Sequence, residues 1–226
     1  MDASRNPARS VPRFFHSVVL LFLVSALEGA VVIDRIAVIV GQHVIKASDI
    51  DRDLRLTEFM NREPLNLNRE AKRRSAERLI DQEVIHMEIL TGGYRRPSDA
   101  EADAFEKQLE KDRFGGSAVQ LRESLAHYGL TPEQLREQLL WQLTVLRFIE
   151  ERFRAGVLVT DDEVRSYYDQ HLDEIRKQNP GNSMYEIQKP KIRSLLEGDR
   201  INKNFTDWLE EARKRYRIDY RQEALE

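Results

Sequence analysis

One helix-start signal recurs along the chain. Each copy has Ser or Thr followed three residues later by Glu or Gln: Ser98 and Glu101, Ser117 and Gln120, Thr131 and Gln134, and Thr160 and Glu163. In such a capping box, the two side chains satisfy backbone N–H groups that the first helical turn leaves without partners. Pro132 follows Thr131 at the first helical position, where its missing N–H costs nothing. These four signals predict four separate helices.

Apolar periodicity and Gly or Pro breaks predict the remaining helices. One begins at Ser48 as its N-cap and ends near residue 60, and one covers about 68–90. The helix that opens at Ser117 ends at Gly129. We expect the helix after Thr131 to end near residue 155 and the helix after Thr160 to end near residue 177. A last helix is capped within 183–186 and ends near residue 215. Pro190 lies either in its first turn or at a kink within it.

Strand-forming residues stand at both ends of this helical region. Residues 31–40 and 43–45 are apolar and β-branched, and Gly41 and Gln42 between them predict a hairpin. Residues 216–220 alternate and predict one closing strand. Because a lone strand needs a partner, we expect it to join the hairpin. The predicted fold is mainly α, a multi-helix core with a small N-terminal β-hairpin joined by a C-terminal strand.

The first residues read as an export signal. Fourteen residues, all apolar or small except His16, lie between Arg13 and Glu28, short of the ~20 that span a bilayer, and three arginines precede them. We predict a signal peptide over 1–26, cleaved after Ala26 or, less favourably, after Ala30. A retained anchor is the alternative. The expected domains are then 27–178, a helical domain, and 179–226, a helix and strand that complete the same core.

Composition excludes several functional classes. The chain has no cysteine, which excludes disulfides, thiol catalysis and Cys-ligated metal. Its 36 basic and 39 acidic residues give a net charge of −3, so no global basic field exists to hold nucleic acid. The histidines are too scattered to form a local metal site, and Asp161 and Asp162 stand in a first turn as dipole caps. We predict no catalytic residue, no metal and no cofactor.

Two helical segments carry candidate surfaces. Basic residues cluster at Arg69, Lys72, Arg73, Arg74 and Arg78. A solvated face interleaved with acids is the first interpretation, and contact with an anionic partner such as a membrane surface is the second.

The helix after Thr131 has an apolar arc of roughly 220°, against the ~100° of a one-sided helix. Leu135, Leu139, Leu143, Leu146 and Phe153 form one stripe, and Trp141, Val145 and Phe148 form another. Either this helix is central to the core, or Trp141 and Phe148 help to line a surface for apolar peptide.

Several segments together resemble SurA-type periplasmic chaperones. The similar stretches are VVIDRIAVIVGQHVIKASDID, RLIDQEVIHMEI, LTPEQLREQLLWQLTVLRFIEERFR with VTDDEVRSYYDQH, and QKPKIRSLLEGDRINKNFTDWLEEARKRYRIDY. The resemblance covers about residues 31–220. It implies a helical cradle, closed by the C-terminal helix, that holds unfolded outer-membrane proteins in the periplasm without a cofactor.

The chain departs from that family in one respect. The family carries one or two parvulin prolyl-isomerase domains before the final helix, whereas only 15 positions separate Tyr168 from Ser183 here. An independently folding domain needs at least about 50 residues. We therefore expect no isomerase activity.

The leading hypothesis is an exported, ATP-independent holdase, a chaperone that binds unfolded polypeptides. The candidate client contacts are Phe59, Met60, Trp141, Phe148, Tyr167 and Tyr168. The alternatives are a membrane-tethered assembly factor, a scaffold protein with one fixed partner, and a degenerate prolyl isomerase.

Overall fold

The computed structural model describes residues 34–225, so the predicted signal at 1–26 and the start of the predicted first strand lie outside the described residues. The elements in chain order are β1 (Ile36–Val40), β2 (His43–Lys46), α1 (Ala47–Asn61), α2 (Arg69–Gly92), α3 (Asp99–Phe114), α4 (Ala118–His127), α5 (Pro132–Phe153), α6 (Asp161–Gln170), α7 (Leu172–Gln178), α8 (Tyr185–Arg213), β3 (Ile218–Tyr220) and a 3₁₀ turn (Gln222–Ala224). The predicted mainly α fold is confirmed.

β1 is the central strand of a three-stranded antiparallel sheet, in the order β2-β1-β3. Val38 pairs with Tyr220 and with Ile45, so the C-terminal strand and the hairpin meet on the same strand. Gly41 takes a φ of 61° in the hairpin turn, a left-handed conformation that suits glycine. Its N–H donates to the carbonyl of Arg217 at 2.9 Å. The prediction that the two ends of the helical region join in one sheet is confirmed.

Three of the four predicted capping boxes form. The fourth, at Ser117, is half formed, because the Ser117 hydroxyl accepts from the Gln120 N–H at 3.3 Å but the Gln120 side chain makes no return bond. The backbone N–H of Ser98 donates to Glu101 at 2.8 Å, that of Thr131 to Gln134 at 2.9 Å, and that of Thr160 to Glu163 at 2.8 Å. The corresponding helices begin one residue after each hydroxyl side chain, at Asp99, Pro132 and Asp161.

The predicted N-cap at Ser48 is wrong. α1 begins at Ala47, directly after β2, and the N-cap position falls on Lys46. The backbone N–H of Lys46 donates to the Asp49 carboxylate at 3.0 Å, while the Ser48 hydroxyl donates to Asp34. Because no loop separates β2 from α1, the cap falls on the last residue of the strand.

The predicted single helix from Thr160 to about residue 177 is two helices. α6 and α7 are separated at His171, whose ring stacks on Tyr167 with a centroid distance of 4.0 Å. The last helix also differs at its start, because α8 begins after Met184 without a side-chain cap. Pro190 lies inside α8, in its second turn, which decides between the two positions considered for it.

Four apolar clusters hold these elements together. The first joins the sheet to α1, α2 and the end of α8, and the second joins α1 to α3, α4 and α5. A third, rich in aromatic rings, joins α2, α5 and α8, and a fourth joins α6 to α8. α5 contributes to the second and third clusters, which places it centrally, as its wide apolar arc predicts.

Candidate functional site

A groove opens beside Trp141, with α5 on one side and β2, α1 and α2 on the other. It consists of three adjoining cavities of about 250, 170 and 370 Å³, and all three have Trp141 and Gln82 in their walls. We call this feature the Trp141 groove. It extends from Val44 on β2 to Leu146 on α5.

The groove forms where α2 and α5 no longer bury the side chains between them. Ile85 and Ile89 of α2 share a buried cluster with Phe148 of α5. Trp141, two turns earlier on α5, packs at the partly buried edge of that same cluster. Its indole ring lies 6.0 Å from the exposed imidazole of His86, measured between ring centroids. The side chain is therefore held on one side and open to the groove on the other.

A buried polar network fixes the wall formed by α1 and α2. Asp53 accepts a hydrogen bond from the Ser75 hydroxyl at 2.7 Å and pairs with Arg78 at 2.5 Å. Ser75 is fully buried and Asp53 is nearly so. Because charge-assisted hydrogen bonds of this kind are strong in a desolvated site, the network holds the two helices in a fixed relationship.

Several ionisable side chains around the groove contact each other. Arg52 Nη2 lies 2.8 Å from Asp49, and His43 Nδ1 lies 2.8 Å from Glu83. Asp53 faces Arg78, as described above. The polar lining between these pairs consists largely of neutral glutamines, Gln82, Gln138 and Gln142, next to Trp141. The cavity next to Val145 therefore combines apolar and neutral polar surface, whereas Glu137 adds a carboxylate to the cavity next to Gln134.

The apolar part of the groove continues along α5. Val145 is partly buried and lies one turn beyond Trp141. Leu146 is 55% exposed, whereas Leu135 and Leu139 of the same apolar stripe are completely buried. Leu146 lies at the groove mouth beyond the aromatic cluster, where the described part of the chain leaves its side chain exposed.

Two of the predicted contact residues are core residues. Phe59 is 3% exposed and packs between Phe114 and Tyr128, at ring-centroid distances of 6.4 and 5.8 Å. Phe148 is completely buried, with Tyr94 at 4.9 Å and Trp208 at 5.2 Å. Because both rings are buried, neither Phe59 nor Phe148 is exposed to contact a client in this structure.

The other predicted contacts lie outside the Trp141 groove. Met60 is partly buried in the cluster that contains Phe59. Tyr167 packs against His171, and Tyr168 donates a hydrogen bond from its hydroxyl to the Ser183 carbonyl at 2.7 Å. Of the six predicted residues, the structure places only Trp141 in the groove.

The basic cluster on α2 is engaged with neighbouring groups. Arg74 pairs with Glu70 at 2.6 Å, Arg78 pairs with Asp53, and Arg73 donates to Gln222 at 3.2 Å. These contacts support the interpretation of a solvated face with interleaved acids.

The groove contains residues that the sequence patterns did not single out. Gln134, Gln138 and Gln142 are spaced four residues apart and line it together with Val145. The sequence does contain a signal for this row, because three neutral glutamines at a four-residue spacing are unusual in a chain in which 33% of residues are charged. An apolar-periodicity search overlooks such a row because its members are polar.

Residues 34–225 show neither a metal-binding cluster nor a membrane-spanning helix. Within residues 34–225, the His, Asp and Glu side chains form no group of three that could hold a metal ion. None of the helices described here has both the length and the apolar character needed to cross a bilayer.

Comparisons with known proteins give one informative match. No protein-family model matches the chain. The chain is 27% identical over 154 residues to the chaperone SurA of Hahella chejuensis (strain KCTC 2396), a match that covers 66% of this chain and 35% of that protein. The matched region thus spans about a third of the length of that relative. The match supports a SurA-like relationship for this chain.

Proposed function

We propose that this protein is an ATP-independent chaperone that binds unfolded polypeptides through the Trp141 groove. The observation that carries the proposal is an open groove, with Trp141 at its centre, on a chain that is similar to a SurA chaperone. A partly exposed indole supplies a large apolar contact at small conformational cost, because it has few rotatable bonds. Such a surface suits clients of varied sequence.

The composition fits a holdase that must remain soluble while it carries an apolar client. One third of the residues are charged, and the net charge is −3. Charged surfaces of mixed sign oppose association between chains. Release without ATP requires individually weak contacts, whose combined strength depends on how many engage at once.

The proposed activity does not include prolyl isomerisation. The segment between Tyr168 and Ser183 is occupied by the short helix α7. The Tyr168 hydroxyl joins the two ends of that segment through the Ser183 carbonyl. The segment is therefore far too short for an inserted isomerase domain, which needs at least about 50 residues.

We further propose that the protein acts in the periplasm, after cleavage of residues 1–26, and that its clients are exported or outer-membrane proteins. This rests on the sequence pattern of residues 1–30 and on the SurA-like relationship. Amino-terminal sequencing of the protein from periplasmic extract tests the cleavage. A start at Val31 would indicate cleavage after Ala30, and an intact start would favour the membrane-tethered alternative.

The holdase proposal is tested by light scattering. An outer-membrane β-barrel protein is diluted from urea with and without this protein, alongside a soluble client of unrelated sequence. We expect aggregation of both clients to be suppressed at near-stoichiometric ratios. Suppression of neither, by protein shown to be folded by circular dichroism, would contradict the proposal and favour a scaffold with one fixed partner.

A further inference from the structure

A row of glutamines runs along the groove face of α5. Gln134, Gln138 and Gln142 recur every four residues, and Gln82 of α2 lines the same cavities. Each carboxamide carries a hydrogen-bond acceptor and two donor hydrogens, and none carries a charge. Each side chain in the row can therefore both donate and accept a hydrogen bond, as a peptide group does.

Three of these carboxamides remain available for a ligand. Gln134 is committed to the α5 capping box, where its Oε1 accepts from the Thr131 N–H. Within residues 34–225, the side-chain amides of Gln82, Gln138 and Gln142 make no hydrogen bond with another residue, and all three side chains are partly exposed. Their amide N–H and C=O groups are therefore free to form hydrogen bonds with a ligand in the groove.

The spacing of the row matches an extended chain. Four residues of α-helix rise about 6 Å. In an extended chain, every second residue turns its N–H and C=O to the same side, at intervals of about 6.6–6.8 Å. Gln138 and Gln142 can therefore meet two successive same-side residues of one strand, and flexible side chains absorb the small difference in spacing.

The apolar lining repeats at the same interval. Trp141 and Val145 are also four residues apart and lie beside the glutamine row. A strand whose main chain meets the glutamines can place every second side chain toward these two residues. The cavity that Gln138, Gln142, Trp141 and Val145 share has no charged side chain in its lining, so this part of the groove favours an uncharged segment.

We propose that Gln138 and Gln142 hydrogen-bond to the main chain of one extended, uncharged client segment that lies along α5 with alternate side chains on Trp141 and Val145. This inference rests on the proposed function and specifies how the groove recognises its clients. Recognition is then directed at the peptide backbone, which all unfolded chains share. The part of α5 from Gln134 to Leu146 rises about 18 Å, the length of five to six extended residues.

The test uses a blocked peptide of about eight residues in which Leu and Ser alternate. Two further peptides carry a single central N-methyl group, one on a Leu and the other on the adjacent Ser. Each N-methyl group removes one main-chain donor, and the two donors point to opposite sides of the strand. Binding is followed by the anisotropy of an uncharged dye on the peptide.

We expect one of the two methylated peptides to bind about fivefold more weakly than the other, the effect of one lost hydrogen bond. The double variant Gln138→Met, Gln142→Met should bind the unmodified peptide about fivefold to tenfold more weakly and should no longer distinguish the methylated forms. The matched control is Gln120→Met on α4, an exposed helical glutamine outside the groove, which should bind as the unaltered protein does.

The outcomes separate this inference from the proposed function. Equal affinities for both methylated peptides, together with loss of binding in Trp141→Ala, would overturn backbone recognition and leave the groove as the client site. No binding of any peptide, and no suppression of client aggregation, would overturn both. If the double variant does not fold, the comparison of the two methylated peptides on the unaltered protein decides.

Discussion

Trp141 and Phe148 lie seven residues apart on one face of α5, yet Phe148 is completely buried while Trp141 is open to the groove. Phe148 is covered by Ile85 and Ile89 from α2 and by Trp208 from α8. At Trp141 the neighbours from α2 are the exposed His86 and the partly exposed Gln82, which cover the indole only in part. The same apolar stripe thus serves the core at one end and the candidate site at the other.

Replacement of Phe148 by Ala should therefore change stability. We expect the free energy of unfolding to fall by about 3–5 kcal/mol, because a buried ring is lost and a cavity remains. Replacement of Trp141 by Ala should lower it by clearly less, since that side chain is only partly buried. Urea unfolding followed by circular dichroism measures both, and equal losses would contradict the assignment of the two roles.

Trp208 carries a buried indole N–H that has no hydrogen-bond partner within the described chain. Its ring is nevertheless well packed, with the Arg152 guanidinium 5.2 Å from its centroid and Phe205 stacked beside it. Trp208→Phe removes the unsatisfied donor and keeps most of the ring. We expect a change in unfolding free energy within about 1 kcal/mol, or a gain, because an unpaired buried donor is costly.

The control for this prediction is Trp208→Ala. It removes the ring as well as the donor and should lower stability by about 3–5 kcal/mol. Thermal unfolding of both variants measures the difference. A comparable loss in both variants would indicate that the N–H contributes to the fold after all.

The closing strand is tied to α2 through Tyr220 and Glu77. The Tyr220 hydroxyl donates to Glu77 at 2.6 Å, and Arg213 pairs with the other carboxylate oxygen. Burial opposes ionisation of Glu77, but the Tyr220 and Arg213 contacts outweigh it and hold the pKa of Glu77 below its ordinary value. Burial, together with the bond to Glu77, raises the pKa of Tyr220.

Tyr220→Phe should therefore weaken the closure of the sheet. We expect a loss of about 0.5–1.5 kcal/mol in unfolding free energy, a range that allows for the partial exposure of the pair to solvent. Hydrogen exchange should become faster at the amides of β3 and remain unchanged in α3. Unaltered exchange at β3 would show that the hydroxyl does not secure the strand.

Glu163 makes stability depend on pH. The backbone N–H of Thr160 and the guanidinium of Arg200 lower its pKa from 4.5 to about 2. Since the folded pKa lies below the unfolded one, this contribution is complete above about pH 4.5 and is lost as pH falls toward 2. Glu163→Gln keeps an acceptor for the capping box but loses the charge that faces Arg200.

We expect Glu163→Gln to be less stable than the unaltered protein at pH 7 and the difference to narrow steadily below about pH 4.5. Urea unfolding at several values between pH 3 and pH 7 measures it. A difference that is the same at every pH would mean that the charge of Glu163 does not contribute.

The helix starts were predictable because their signals are local. At Ser98, Thr131 and Thr160, the capping side chains bond to backbone atoms within one helical turn. Sequence spacing alone is therefore enough to predict these interactions. The break at His171 was not predictable in the same way. It has no Gly or Pro, and the stacking of His171 on Tyr167 appears only in three dimensions.

The site was predictable only in part, because exposure is a property of tertiary packing. Periodicity places Trp141, Val145 and Phe148 in one stripe. It does not show which of these side chains the neighbouring helix α2 buries. Phe59 likewise became a core residue because α3 and α4 bring Phe114 and Tyr128 against it. The glutamine row can be recognised as part of a site only in the folded chain, where Gln82 of α2 lines the same groove.

The most direct test of this account compares Trp141→Ala with Leu158→Ala in the suppression of aggregation of a urea-denatured outer-membrane β-barrel protein. Leu158 is 75% exposed and lies outside the groove, so it controls for the loss of any exposed apolar side chain. The account predicts that Trp141→Ala, shown to be folded, suppresses aggregation several-fold less well at equal concentration, while Leu158→Ala performs as the unaltered protein does. Equal suppression by both variants would contradict the assignment of client binding to the Trp141 groove.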